Sequence, residues 1–194
     1  TYFEPEFFQI SVEESKHIDP QQRIFLELIE EAFEDAGINV DTLEDRNVGV
    51  YVGNSSNQYK NLFSEGNSLE FVNGLDGVNA ARAAYTFDLQ GPVFNLDTAC
   101  SSTLVALNLA VEAIRNGTIN QAVVGAVQLN LFPQEIDADI TNSVMSEESR
   151  TKAFNRDSDG FVQGEGGVVL ILKDYEKAVK DRNHIHAIIK GSAV

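Results

Sequence analysis

The chain has no tryptophan, one methionine and one cysteine in 194 residues. A single cysteine excludes an internal disulfide and fits a reducing, cytoplasmic setting. Basic residues are scarce, with 14 Lys plus Arg against 30 Asp plus Glu and a formal net charge of −16. Nucleic acid needs a basic face to displace counterions, and an anionic membrane surface attracts the same charge. Neither is an expected partner. No apolar run is long enough to span a bilayer, and Thr1-Tyr2-Phe3-Glu4-Pro5 lacks the basic start and apolar stretch of a signal peptide.

What is there suits a globular α/β chain, 43% apolar and long enough to bury a core. Asp19-Pro20-Gln21-Gln22 reads as a helix start, with Asp19 as cap, Pro20 at the first helical position and Gln22 three residues after the cap. A helical stripe of apolar residues runs from Ile24 to Ala36, and Gly37 is the stop. The acids Glu27, Glu30, Glu31, Glu34 and Asp35 fall on its solvated face. Val48, Val50 and Val52 alternate as a strand. A polar loop with some helix is expected over 54–73, a helix over 76–87, and a short strand over 93–96. The segment 101–115 is apolar on nearly every side, which predicts a helix buried on all faces. Strands follow over 121–131 and 167–172, a short helix over 174–180, and a last strand over 185–189. Strands alternating with helices around one buried helix indicate a layered α/β/α domain.

The segment that carries chemistry is Asn95-Leu96-Asp97-Thr98-Ala99-Cys100-Ser101-Ser102-Thr103. A strand ends, small residues follow, and a cysteine stands where the buried helix begins. A helix N-terminus presents unpaired N–H groups and the positive end of its dipole. Both favour thiolate over thiol, and a thiolate there can attack a thioester carbonyl. The adjacent N–H groups can stabilise the oxyanion that forms. Ala99, Ser101 and Ser102 are small and leave room for substrate. Taken alone, a lone cysteine is more commonly an inert buried hydrophobe.

Several segments, in order, weigh against that plainer reading. They are Glu6-Phe7-Phe8-Gln9-Ile10-Ser11, Asp19-Pro20-Gln21-Gln22-Arg23, Gly49-Val50-Tyr51-Val52-Gly53, Gly91-Pro92, Asp97-Thr98-Ala99-Cys100-Ser101-Ser102, Lys152-Ala153-Phe154, Asp159-Gly160-Phe161-Val162-Gln163-Gly164-Glu165-Gly166 and Ile189-Lys190-Gly191-Ser192-Ala193-Val194. Together they resemble the ketosynthase (beta-ketoacyl synthase) domains of modular polyketide synthases and type I fatty acid synthases. The resemblance implies a thiolase-like layered α/β/α fold. It makes Cys100 the residue acylated from the phosphopantetheine arm of an acyl carrier protein. The acyl-enzyme is then attacked by the carbanion of decarboxylated malonyl-carrier protein, a decarboxylative Claisen condensation. It also implies a homodimer that meets through the strand preceding Cys100. No cofactor or metal ion is expected to be bound by the chain itself.

In the family, two histidines and a lysine in the second half of the domain support decarboxylation. Neither histidine motif is present here, so the chain reads as the N-terminal half of the domain, 1–194, truncated at both ends, and alone inactive in condensation. His17, His184 and His186 fall in none of the family's catalytic contexts and read as surface or edge residues.

Two further motifs have plainer readings. Asn155-Arg156-Asp157-Ser158-Asp159-Gly160 resembles the first half of a calcium loop, but Gly166 occupies the place of the bidentate glutamate. Gly160, Gly164, Gly166 and Gly167 do not fit a phosphate-binding fingerprint and precede a strand rather than a helix. Two other functions stay open at this point: a non-catalytic ketosynthase-like scaffold or dimerisation half, and another thiolase-fold acyltransferase.

Overall fold

A computed structural model describes residues 2–54, 58–59, 72–73, 75, 77–131 and 144–194. The chain divides into two compact units, Thr1–Val127 with Gly167–Val194, and Gln128–Gly166. Among the described residues no helix is long and apolar enough to cross a membrane.

In the larger unit, Ser11 caps the short helix α1 (Val12–Ser15), its hydroxyl accepting the Glu14 N–H. Helix α2 (Pro20–Asp35) starts where Asp19 Oδ1 accepts the Gln21 N–H at 2.8 Å, with Pro20 in the first turn. Gln22 does not complete a capping box. Its amide donates to the Asn73 carbonyl, and its oxygen accepts from Arg82, which also ion-pairs with Glu14 at 2.9 Å. Long-range partners take the side chain that local sequence assigned to the cap. Gly37, at φ +67°, ends α2. The Ile38 N–H returns to Phe33 and the Gly37 N–H to Glu34, the paired bonds that satisfy orphan helix carbonyls. Of the acids on α2, Glu27 and Glu30 are half-buried rather than fully solvated, and burial raises both carboxyls above 4.5.

A 3-10 turn (Val40–Thr42) leads to β1 (Val48–Gly53). Then come α3 (Val78–Thr86), β2 (Val93–Leu96), α4 (Ser102–Arg115), β3 (Gln121–Gln128), β4 (Gly166–Lys173) and α5 (Tyr175–Lys180). The sheet order is β2-β1-β3-β4, with β1 parallel to both of its neighbours.

Register shows the layers. Tyr51 of β1 pairs with Val124 of β3, and both pack with Ala106 and Ala110 of α4 on one face. Val52 pairs with Gly125, and a Cβ on Gly125 would meet the Phe25 ring of α2 at 2.9 Å. So α2 lies on the opposite face. Arg82 of α3 bonds Gln22 of α2 and joins α3 to that layer. Phe25, Ile29, Phe33, Val50, Val52 and Val123 are fully buried between them. This is the expected layered α/β/α arrangement. Gly125 is required there because any side chain would also collide with the Val168 carbonyl.

Three further expectations differ from the structure. Helix α4 is not covered all round, for Leu104 is 70% exposed although Ala106, Asn108, Ala110 and Val111 are buried. Residues 185–189 form no strand, because no ladder partner reaches them among the described residues. Strand β3 ends at Gln128 rather than at 131. The loop expected over 54–73 lies largely outside the described residues.

In the smaller unit, Val144 to Ser146 exchanges backbone bonds with Phe161. Gly160, at φ +144°, is where a Cβ would meet the Val144 carbonyl at 2.6 Å. Asp159 accepts from Ser146 at 2.9 Å and pairs with Lys152, which also reaches Glu148. The Asp159 carboxylate, the fifth position of the calcium-like pattern, is thus already engaged by a cation and a hydroxyl.

Candidate active site

Strands β1 and β2 run parallel and end side by side, Gly53 opposite Leu96. The chain leaves β2, turns through Asp97 to Ser101 and enters α4. Ligands of open parallel sheets are held outside the carboxyl ends of the strands, which is where this turn lies. Gly53 permits the approach of α4, for a Cβ there would stand 2.6 Å from the Thr103 backbone nitrogen.

The turn is tightly specified. Ala99 adopts φ +53°, a left-handed conformation that costs a residue bearing a Cβ about 1–2 kcal/mol. Asp97 Oδ1 accepts the Ala99 N–H at 2.9 Å. Ser102, buried at 5% exposure, accepts the Thr98 N–H at 2.9 Å and donates to the Ala99 carbonyl at 2.6 Å. Ser101 donates to the Thr98 carbonyl at 2.8 Å.

Cys100 stands at the top of this turn with its side chain exposed. It lies one residue before Ser101, the N-cap of α4, and that cap makes no side-chain bond to the helix N–H groups. The N–H groups of Thr98, Ala99, Ser101 and Ser102 are all taken by acceptors within the turn. Among the described residues the Cys100 N–H has no such acceptor. The arrangement presents an exposed sulfur beside a helix end that has no side-chain cap, a combination suited to nucleophilic attack on a carbonyl.

In the sequence Ser101 and Ser102 stand out as small residues beside the cysteine. The structure makes both of them braces of the turn. Alanine at 99 gave no sign of its left-handed backbone, since glycine is the usual mark of that conformation.

The three histidines lie apart from Cys100 in role. His17 is half-buried, its Nε2 3.9 Å from Glu13. His184 and His186 are exposed and face Asp35 at the end of α2. The His186 hydrogen bond, and then the charges of His186 and His184, hold the Asp35 carboxyl below its ordinary 3.8.

Comparison with known proteins agrees with this geometry. Residues 1–178 match the family model described as beta-ketoacyl synthase, N-terminal domain. Polyketide synthase PksL of Bacillus subtilis is 40% identical over 193 residues, covering 100% of this chain and 4% of the relative. Probable polyketide synthase 2 of Dictyostelium discoideum is 42% identical, over 98% of this chain and 6% of the relative. The solved ketosynthase from module 6 of the bacillaene synthase of Bacillus subtilis superposes with a TM-score of 0.83 at 41% identity, over 95% of this chain and 32% of that one. An oxazolomycin ketosynthase domain from Streptomyces albus gives 0.83 at 35% identity, over 94% of this chain and 32% of that one. The chain thus spans about a third of the solved ketosynthases and a small part of the curated relatives. With its fold and the order of its motifs matched across nearly its whole length, the chain belongs to the beta-ketoacyl synthase family, in the form found in polyketide synthases.

Proposed function

We propose that Cys100 is the acyl-accepting nucleophile of a condensing enzyme. Its thiolate attacks the thioester carbonyl of an acyl chain carried on the phosphopantetheine arm of an acyl carrier protein. The tetrahedral oxyanion is held by the Cys100 N–H and the positive end of α4. Collapse expels the carrier thiolate, which takes up a proton, and leaves the acyl group on sulfur. Malonyl-carrier protein then loses carbon dioxide, its carbanion attacks the acyl-enzyme, and the Cys100 thiolate departs. The product is two carbons longer. Neither of the family's two histidine motifs occurs within residues 1–194, so these residues supply the acylation step and are not expected to condense by themselves. The strand before Cys100 is the surface through which two copies would pair.

The observation that supports this most is the exposed Cys100 sulfur on a turn braced through the N–H groups of Thr98, Ala99, Ser101 and Ser102. The test is acylation by a small acyl-thioester. The folded chain should gain one acyl mass, and Cys100→Ala should gain none. An unreactive thiol in a demonstrably folded sample would overturn the assignment.

A further inference from the structure

Among the described residues, one group of side chains away from Cys100 has the composition and spacing to hold a metal ion. Asp35 is the last residue of α2, and His184 and His186 flank Ile185 in the segment after α5. The His184 N–H donates to the Ala36 carbonyl at 3.3 Å and ties that segment to the end of α2. The two imidazole rings lie 4.2 Å apart, as alternate residues of a chain passing in extended form can. His186 Nε2 is 2.5 Å from one Asp35 oxygen, and His184 Nδ1 is 4.0 Å from the other. One ligand atom from each residue lies within 4.8 Å of those from the other two.

We propose that Asp35, His184 and His186 form a surface site for a divalent transition-metal ion of the zinc class, which fastens the segment around His184 to the C-terminal end of α2. Two imidazoles and one carboxylate are a nitrogen-rich set that zinc accepts with water as the fourth ligand. Magnesium and calcium favour oxygen donors throughout and fit it poorly. Metal–ligand bonds of about 2.0–2.2 Å at tetrahedral angles place donor atoms roughly 3.4 Å apart. The observed 2.5 and 4.0 Å separations lie on either side of that spacing. All three side chains are more than half exposed and have rotamers to spare for the adjustment. The three residues are 149 to 151 positions apart in sequence between α2 and the histidines, and only the fold joins them.

The site is independent of the assignment of Cys100, so the test removes that thiol. Zinc chloride is titrated into the chain carrying Cys100→Ser, in competition with a chromogenic chelator. One equivalent of zinc should bind. His184→Ala and His186→Ala should each weaken binding by roughly 10-fold or more, at least the penalty for losing an outer-shell partner. His17→Ala should leave it unchanged. Both site histidines are exposed, so their loss leaves the core intact, and circular dichroism checks this directly. Cobalt(II) in place of zinc should give the visible bands of a tetrahedral ion, and these should vanish in the double histidine variant. Absence of stoichiometric binding would overturn the proposal. So would binding that survives loss of both histidines, or that depends on His17.

Discussion

The Ser102 hydroxyl donates to the Ala99 carbonyl at 2.6 Å, closing the turn that carries Cys100 from the helix side. The same oxygen accepts the Thr98 N–H, so one buried side chain satisfies two backbone groups on either side of the strained residue.

Ser102→Ala should therefore cost stability and reactivity together. Thr98 and Ala99 are exposed, so water can replace part of what is lost, and the two bonds together are worth about 1–2 kcal/mol. The melting temperature should fall, and the rate of Cys100 acylation should fall with it, because the turn is free to relax. Acylation at the original rate in this variant would show that the turn holds its shape without Ser102.

Ala99 makes a complementary prediction. At φ +53° a β-branched side chain is far more costly than a methyl group, and Ala99→Val should destabilise by about 1–3 kcal/mol. Ala99→Gly should be tolerated and should relieve about 1 kcal/mol of backbone strain. Thermal melts of the two variants should move in opposite directions. If both destabilise equally, the left-handed backbone at Ala99 is not what the turn depends on.

Much of this was legible in sequence, and the physical reason is that the legible parts are local. Asp19 and Pro20 announce the start of α2, Gly37 its end, and Val48, Val50 and Val52 the face alternation of β1. Cys100 between a strand and an apolar helix was visible for the same reason. What sequence did not disclose depends on distant partners. Gln22 looks like half of a capping box until Asn73 and Arg82 claim it. Residues 185–189 have the composition of a strand but find no ladder among the described residues. His184 and His186 meet Asp35 only once α2 and the segment after α5 are brought together.

The smaller unit should lose stability in acid. Asp159 accepts from Ser146 and pairs with Lys152, and these hold its carboxyl below its ordinary 3.8. A depressed folded value means that the native state prefers the charged form. The contribution is fully present above the ordinary value and is lost as pH falls through the depressed one. Asp159→Asn should remove that part of the acid limb while leaving the neutral-pH fold in place. Hydrogen exchange across 144–161 as a function of pH would read it, and an unchanged acid profile in the variant would count against the role given to Asp159.

Helix α4 leaves part of its surface uncovered within this chain, with Leu104 70% exposed at its first turn. Strand β2 is the outer strand of the sheet, and Val93 and Phe94 on it are 38% and 47% exposed. An unprotected edge strand beside bare apolar side chains is a template for pairing with another strand. Monomers tolerate apolar patches of only about 300–600 Å2. The two features lie on consecutive elements on either side of Cys100, so a second copy pairing along β2 would cover the edge and part of α4. The chain should therefore self-associate and bind hydrophobic dye at concentrations where a closed domain does neither. Val93→Lys places a charge on the edge, the device natural sheets use against such pairing, and should shift the population toward monomer. Multi-angle light scattering of the two proteins, with dye binding measured alongside, decides the matter. A compact monomer that melts cooperatively and binds no dye would show that this chain closes its own apolar surface, and that β2 is not where two copies meet.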